Sequence, residues 1–135
     1  MREPKSIVDE MMSKDTFSQW LGIEIMELGE GHCTLKMTVR AEMCNGFGVT
    51  HGGITYSFAD SALAFACNSQ GIKSMSIETG ISHTNPVFPG DVLTAEAREL
   101  SLKNKIAIYD IPVKNQKGEL VALFKGTVYR SGKEW

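Results

Sequence analysis

The stretch Thr50-His51-Gly52-Gly53-Ile54-Thr55-Tyr56-Ser57-Phe58-Ala59-Asp60-Ser61-Ala62-Leu63-Ala64-Phe65-Ala66-Cys67-Asn68-Ser69 governs the architecture. From Ile54 it is rich in Ala and Leu and is closed by Gly71, which predicts a helix over 54–69 of roughly four turns at about 3.6 residues each. It is the one long helix the sequence predicts. Its apolar residues do not keep to a single stripe: Ile54, Phe58, Ala62, Phe65 and Ala66 cover one side, and Ala59, Leu63 and Cys67 another. A helix that is apolar all round is expected to be buried all round. One carboxylate, Asp60, interrupts this body, and two glycines stand at its start.

Upstream, Ser6 is placed to cap a helix in which Ile7, Val8, Met11 and Met12 recur at helical spacing, and Phe17, Trp20 and Leu21 extend that face, so residues 1–21 read as an N-terminal helical segment. At Gly22 the period changes. Ile23, Ile25 and Leu28, then Cys33, Leu35, Met37 and Val39, alternate with polar residues on either side of Gly29-Glu30-Gly31, the pattern of a β-hairpin. Residues 40–53 hold too many glycines for a regular element and read as a structured loop.

Downstream, β-rich segments lie near 75–84, 92–102, 106–113 and 120–130, with short links that favour antiparallel neighbours. Pro112 cannot donate to a ladder, so it is expected at a bulge or an edge. A hairpin, one buried helix and four further strands make residues 1–135 a single α+β domain whose sheet curves round the helix. One small sheet does not easily enclose a helix. A second subunit is therefore expected on the remaining face.

Composition narrows the function. Lys and Arg total 14 against 16 Asp and Glu, for a net charge of -2, so no basic field gathers nucleic acid phosphates. The apolar stretch 54–67 is shorter than a membrane span and carries Asp60, and residues 1–5 open no signal peptide, so a soluble cytoplasmic protein is expected. Three cysteines, Cys33, Cys44 and Cys67, show no paired spacing and read as reduced thiols. His32, Cys33, Cys44 and His51 lack the CxxC or HxxxH spacing of a zinc site, and Gly46-Phe47-Gly48 lacks the third glycine of a dinucleotide fingerprint. Neither a metal nor a nucleotide cofactor is expected.

Two features carry chemistry. Asp60 is the only charged side chain in the helix, and a buried carboxylate without compensation is destabilising. It reads either as a structural group bonded to backbone amides or a subunit contact, or as a general base facing a cleft. Thr50-His51-Gly52-Gly53 lies just before the helix, where the first amides lack intrahelical partners and the dipole is positive. Glycine there lets a carbonyl approach the amide closely, as an oxyanion hole requires. His51 is assigned a supporting role.

The run Asn45-Gly46-Phe47-Gly48-Val49-Thr50-His51-Gly52-Gly53, followed by Ala59-Asp60-Ser61, Ala66-Cys67-Asn68-Ser69-Gln70-Gly71 and Pro86-Val87-Phe88-Pro89-Gly90-Asp91, resembles the hotdog-fold acyl-CoA thioesterases, and among them the phenylacetate-degradation branch. The resemblance continues through Tyr109-Asp110-Ile111 and 121–126, covering most of the chain after Gly22. It implies a long helix wrapped by an antiparallel sheet and a homodimer, commonly paired into a tetramer, with sites at the dimer interface.

By position, the resemblance makes Gly52 the backbone donor to the thioester carbonyl, supported by His51, and makes Asp60 of the other subunit the nucleophile or the base that activates water. It assigns Asn45 and Ser76 to orienting substrate or water and puts Ser61 beside the acid. Two positions depart from it. Asn85 stands where close relatives carry a basic residue, and Pro112 where they lack proline. Lys103 and Lys105 are the remaining candidates for the coenzyme A phosphates. Phe47, Tyr56 and Phe58 offer flat rings to line a pocket beside Asp60 for an aryl or arylacetyl group. The alternatives are a thioesterase preferring medium-chain acyl groups and an acyl-CoA-binding sensor without turnover, which has no need of Asp60.

Overall fold

A computed structural model describes all residues 1–135. Two helices, α1 (Pro4–Lys14) and α2 (Thr16–Leu21), precede the hairpin β1 (Glu24–Gly29) and β2 (His32–Thr38); the long helix α3 (Gly52–Asn68) is followed by β3 (Ile72–His83), β4 (Val92–Leu102), β5 (Ile106–Lys114) and β6 (Leu120–Glu134). The six strands form one antiparallel sheet in the order β1-β2-β4-β5-β6-β3. Helix α3 packs across β2 to β6. This is the hotdog architecture, in the α+β class expected from the sequence.

Small residues set how closely helix and sheet meet. Ala59, Ala62 and Ala66 of α3 are buried, as are Ala95 and Ala97 of β4 and Ala107 of β5. The tightest approach is at Gly126 of β6, where a Cβ would come within 2.5 Å of Leu63 Cδ2. Larger side chains, Phe58, Phe65, Leu63, Tyr109, Ile111 and Phe124, fill the space around these contacts.

The carboxyl end of α3 is pinned by polar groups. Ser69 Oγ accepts from Gly31 N at 2.9 Å and shares its one proton between Ala66 O at 2.7 Å and Gly29 O at 2.8 Å, so it clamps the helix end to the β1–β2 turn. Asn68 Oδ1 accepts from Ser74 N and from Trp135 Nε1, both at 2.9 Å, and its amide donates to Ser74 O at 3.1 Å. Each buried group that would otherwise lose water thereby keeps a partner.

Three expectations are corrected. Ser6 does not cap α1: Pro4 opens the helix earlier, its fixed φ and missing amide suiting the first turn, and Ser6 Oγ accepts from Arg2 at 2.9 Å. Pro112 lies neither on an edge nor at a bulge of its own strand. It sits inside β5, opposite Leu123 of β6, and the ladder to β4 lapses between the pairs Ala95–Val113 and Arg98–Asp110, where no Pro112 amide is available. Finally, α3 is not buried all round within one subunit. Ile54, Ser57, Asp60, Ser61 and Ala64 form a half-exposed stripe along it, because the sheet covers only the opposite sides.

The contact at Gly126 yields the first prediction. Gly126→Ala overpacks against Leu63 and should lower stability by about 1–3 kcal/mol. Adding Leu63→Ala should recover part of that loss, so the double mutant in urea denaturation should be more stable than the sum of the single effects.

Candidate active site

The chain enters α3 through a tight loop. Cys44 and Thr50 form a bridge, Asn45 N donates to Val49 O at 2.8 Å, and Gly48 adopts a left-handed φ of 78°. Asn45 Oδ1 accepts from Phe47 N at 2.8 Å, which turns the side chain into a local brace and leaves its NH2 without a partner in the chain. His51 then caps the helix: its Nδ1 accepts from Gly53 N at 2.9 Å, so this nitrogen carries no proton in that contact. Ile54 N donates to His51 O at 2.9 Å. Of the first-turn amides, Gly53 and Ile54 are thus committed, and Gly52 N–H has no acceptor in the chain. The cap thus takes up the amides beside Gly52 and leaves the Gly52 N–H free.

A cleft of about 390 Å³ opens over this amide, with Thr50, Gly52, Thr55, His83 and Asn85 in its wall. Thr50 Oγ1 is buried there with no hydrogen-bond partner. Nothing in the sequence pattern points to His83. It lies far along the chain, and only the pairing of β3 with β6, His83 opposite Ala122, swings it over the start of α3, where a Cβ on Gly52 would meet its Nε2 at 3.2 Å.

Asp60 stands on the half-exposed stripe of α3 without a hydrogen bond or ion pair, and burial alone pushes its carboxyl above the usual range. It borders a second cavity, of about 320 Å³, whose wall includes Met11, Leu63, Cys67, Met75, Ser76 and Trp135. Ser76 thus shares this cavity with Asp60. The neighbouring Cys67 thiol is pushed up to about 12 by burial, so it stays protonated and is no rival nucleophile at neutral pH.

Ser61 is otherwise engaged. Ser18 Oγ gives its only proton to Asp15 Oδ2 at 2.6 Å, so in the 2.8 Å contact between the two serines Ser61 is the donor. Its hydroxyl ties α3 to α2 and retains only acceptor capacity toward a substrate.

The aromatic lining is corrected. None of Phe47, Tyr56 and Phe58 borders the cavity beside Asp60 in its own subunit. Phe58 is fully buried: two residues before Asp60, it points to the far side of the helix and into the core. The Tyr56 ring packs edge-on against Phe124 at 5.2 Å, and its hydroxyl meets Thr79. Phe47 is 92% exposed in its loop. Lys103 and Lys105 lie in the β4–β5 turn, next to Arg130, at the end of the sheet where β3 begins; His83 and Gly52 are at the other end. No three His, Cys, Asp or Glu side chains gather as a metal site would require, and no helix is long and apolar enough to cross a membrane.

Gly52 and Asp60 belong to one helix, eight residues apart, or about 12 Å along its axis. They face separate cavities. A long helix held inside a curved antiparallel sheet is the hotdog fold, and residues 47–122 match the thioesterase superfamily, to which this chain belongs. Among its relatives is the acyl-coenzyme A thioesterase PaaI of Escherichia coli, 41% identical over 122 residues that cover 90% of this chain and 87% of that protein. The structure of E. coli PaaI, from the phenylacetic acid degradation operon, matches with a TM-score of 0.94 and 38% identity, over 97% of this chain and 95% of that one. A point mutant of the phenylacetic acid degradation protein PaaI of Thermus thermophilus matches with a TM-score of 0.83 and 35% identity, over 86% of this chain and 99% of that one.

The raised Asp60 carboxyl makes a stability prediction. Its folded pKa lies above its unfolded value, so its ionised form opposes folding: stability is greatest below the unfolded value and falls as pH rises through the folded one. Asp60→Asn should therefore melt higher than wild type at pH 7. The gain should disappear in thermal melts run below the ordinary carboxylate pKa of about 4.

Proposed function

We propose that this enzyme hydrolyses acyl-CoA thioesters to the free acid and coenzyme A, with a preference for aryl or arylacetyl groups, at sites built from two subunits. The observation that carries this reading is an uncommitted amide and an unpaired carboxylate set about 12 Å apart along one helix. The oxygen of a carbonyl held at Gly52 lies about 3 Å from the amide, so its carbon is beyond reach of Asp60 on the same helix. Asp60 of a second copy must then supply the carboxylate.

The sheet offers the means of pairing. β3 is an edge strand of 12 residues, and Met75 and Ile77 on it are exposed. A long exposed edge is a template for another strand. Antiparallel pairing of two β3 edges about a two-fold axis runs the two α3 helices in opposite directions, so the amino end of each approaches the body of the other. Dimers of this kind can pair again into a tetramer.

In such a site Gly52 N–H donates to the thioester oxygen as negative charge develops on it, aided by the positive end of α3. Asp60 attacks the carbonyl carbon or removes a proton from the water that does. Coenzyme A leaves as a thiolate, a good leaving group, and takes up a proton; water supplies the hydroxyl of the acid. Ser76 beside Asp60 is suited to holding that water, and the free NH2 of Asn45 to orienting it or the substrate. The preference for an aryl acyl group rests on the likeness to the PaaI proteins and on Trp135 in the cavity beside Asp60.

Asp60→Asn should lower turnover at least about 10²-fold in a free-thiol assay while substrate binding survives. A folded variant with near-normal turnover rejects the assignment. Oxygen-18 water under single turnover tests the covalent route: label in Asp60 marks an anhydride opened by water at the Asp60 carbonyl. Light scattering should give a dimer or tetramer, and an active monomer would contradict the shared site. The ratio of kcat/KM for phenylacetyl-CoA to that for a medium-chain acyl-CoA should favour the aryl ester.

A further inference from the structure

Within the cleft over Gly52, two polar groups have no role in the chemistry so far described. The His83 side chain makes no hydrogen bond within the chain, and its Nε2 lies 3.2 Å from where a Gly52 Cβ would be. Thr50 Oγ1, in the wall of the same cleft, is buried with no partner.

Geometry limits where a ligand's acceptor can sit. A Cβ lies about 2.5 Å from the nitrogen of its own residue by standard bond lengths. His83 Nε2 is therefore at most about 5.7 Å from Gly52 N, the sum of these two distances. A carbonyl oxygen accepting two hydrogen bonds of about 2.9 Å along lone pairs about 120° apart spans about 5.0 Å between its donors, a separation this limit permits, so a single oxygen can meet both groups when the two nitrogens stand that close. No other titratable side chain lines this cleft, and the neighbouring Asn85 amide is already spent on Leu120 O at 2.7 Å.

We propose that His83 is a second donor to the thioester oxygen held by Gly52 N–H, its Nε2–H completing a two-donor oxyanion hole assembled from the start of α3 and the end of β3. The proposal rests on the reading of Gly52 as the carbonyl donor. With Nδ1 unprotonated, the imidazole presents its proton at Nε2; protonated, it presents one at either nitrogen. The donor is needed most in the transition state, when the oxygen carries charge, so its loss falls on kcat more than on KM.

The test compares wild type, His83→Phe, His83→Gln and Asp60→Asn in thiol release from one acyl-CoA, with melting temperatures measured alongside. His83 is exposed, so all three His83 forms should melt alike. His83→Phe keeps a flat ring without a donor and should lower kcat at least about tenfold with KM little changed. His83→Gln restores an N–H at similar reach and should recover much of that loss, which a merely structural ring would not predict. A kcat for His83→Phe within twofold of wild type, or equal impairment in His83→Gln, overturns the proposal. If that happens while Asp60→Asn is inactive, only the role of His83 fails. If wild type releases no thiol, or Asp60→Asn turns over normally, the underlying site reading fails, and His83 with it.

Discussion

A helix is a rigid ruler, and the rest of this molecule is arranged around the long one it contains. Helix α3 can lie against the sheet only because small residues let the two backbones approach, with Gly126 under Leu63 as the closest point and alanines on both layers beside it. Its carboxyl end is locked by Ser69 and Asn68, and its amino end by the His51 cap. Once seated, the helix has a definite face toward the sheet and a definite face away from it. Asp60 necessarily lies on the outer stripe, since Phe58, Ala59, Ala62 and Leu63 around it are drawn into the core.

The polar groups divide accordingly. Those that hold the fold are satisfied: Ser69 accepts from one backbone amide and shares its proton between two backbone carbonyls, and Asn68 joins the helix to β3 and to Trp135. Those that are left over are concentrated at two places, the Gly52 amide with Thr50 and His83 nearby, and the Asp60 carboxylate. Unsatisfied groups are costly, and structures keep them chiefly where something else is to be bound or transformed. Under the proposed function a thioester would meet both needs, an oxygen for the amide and a carbon for the carboxylate.

Much of this is legible along the chain. The apolar run closed by Gly71, the alternating segments and the short links foretell a helix in an antiparallel sheet, because hydrophobic period reports which faces are buried. Gly52 and Asp60 stand out for similar reasons: a glycine at a helix start and a charge in an apolar helix are departures from the local rule. The surroundings of Ser61, Phe58 and Pro112 are not legible in this way, because each depends on a neighbour distant in sequence. Ser61 is tied to Ser18, Phe58 turns into a core built by the sheet, and Pro112 is tolerated by a lapse in its pairing with β4.

The fold class, the long helix and the two residue types on which hydrolysis would turn are all expressed in local pattern, and so can be read from the chain alone. Four further properties exist only in the folded molecule: which amide remains free, that the carboxylate has no partner, that its cavity is walled by Met11, Met75 and Trp135, and that His83 reaches Gly52. Each of those depends on how segments far apart in the chain come together. Strand register and helix seating bring them together, and both follow from the packing of the whole domain.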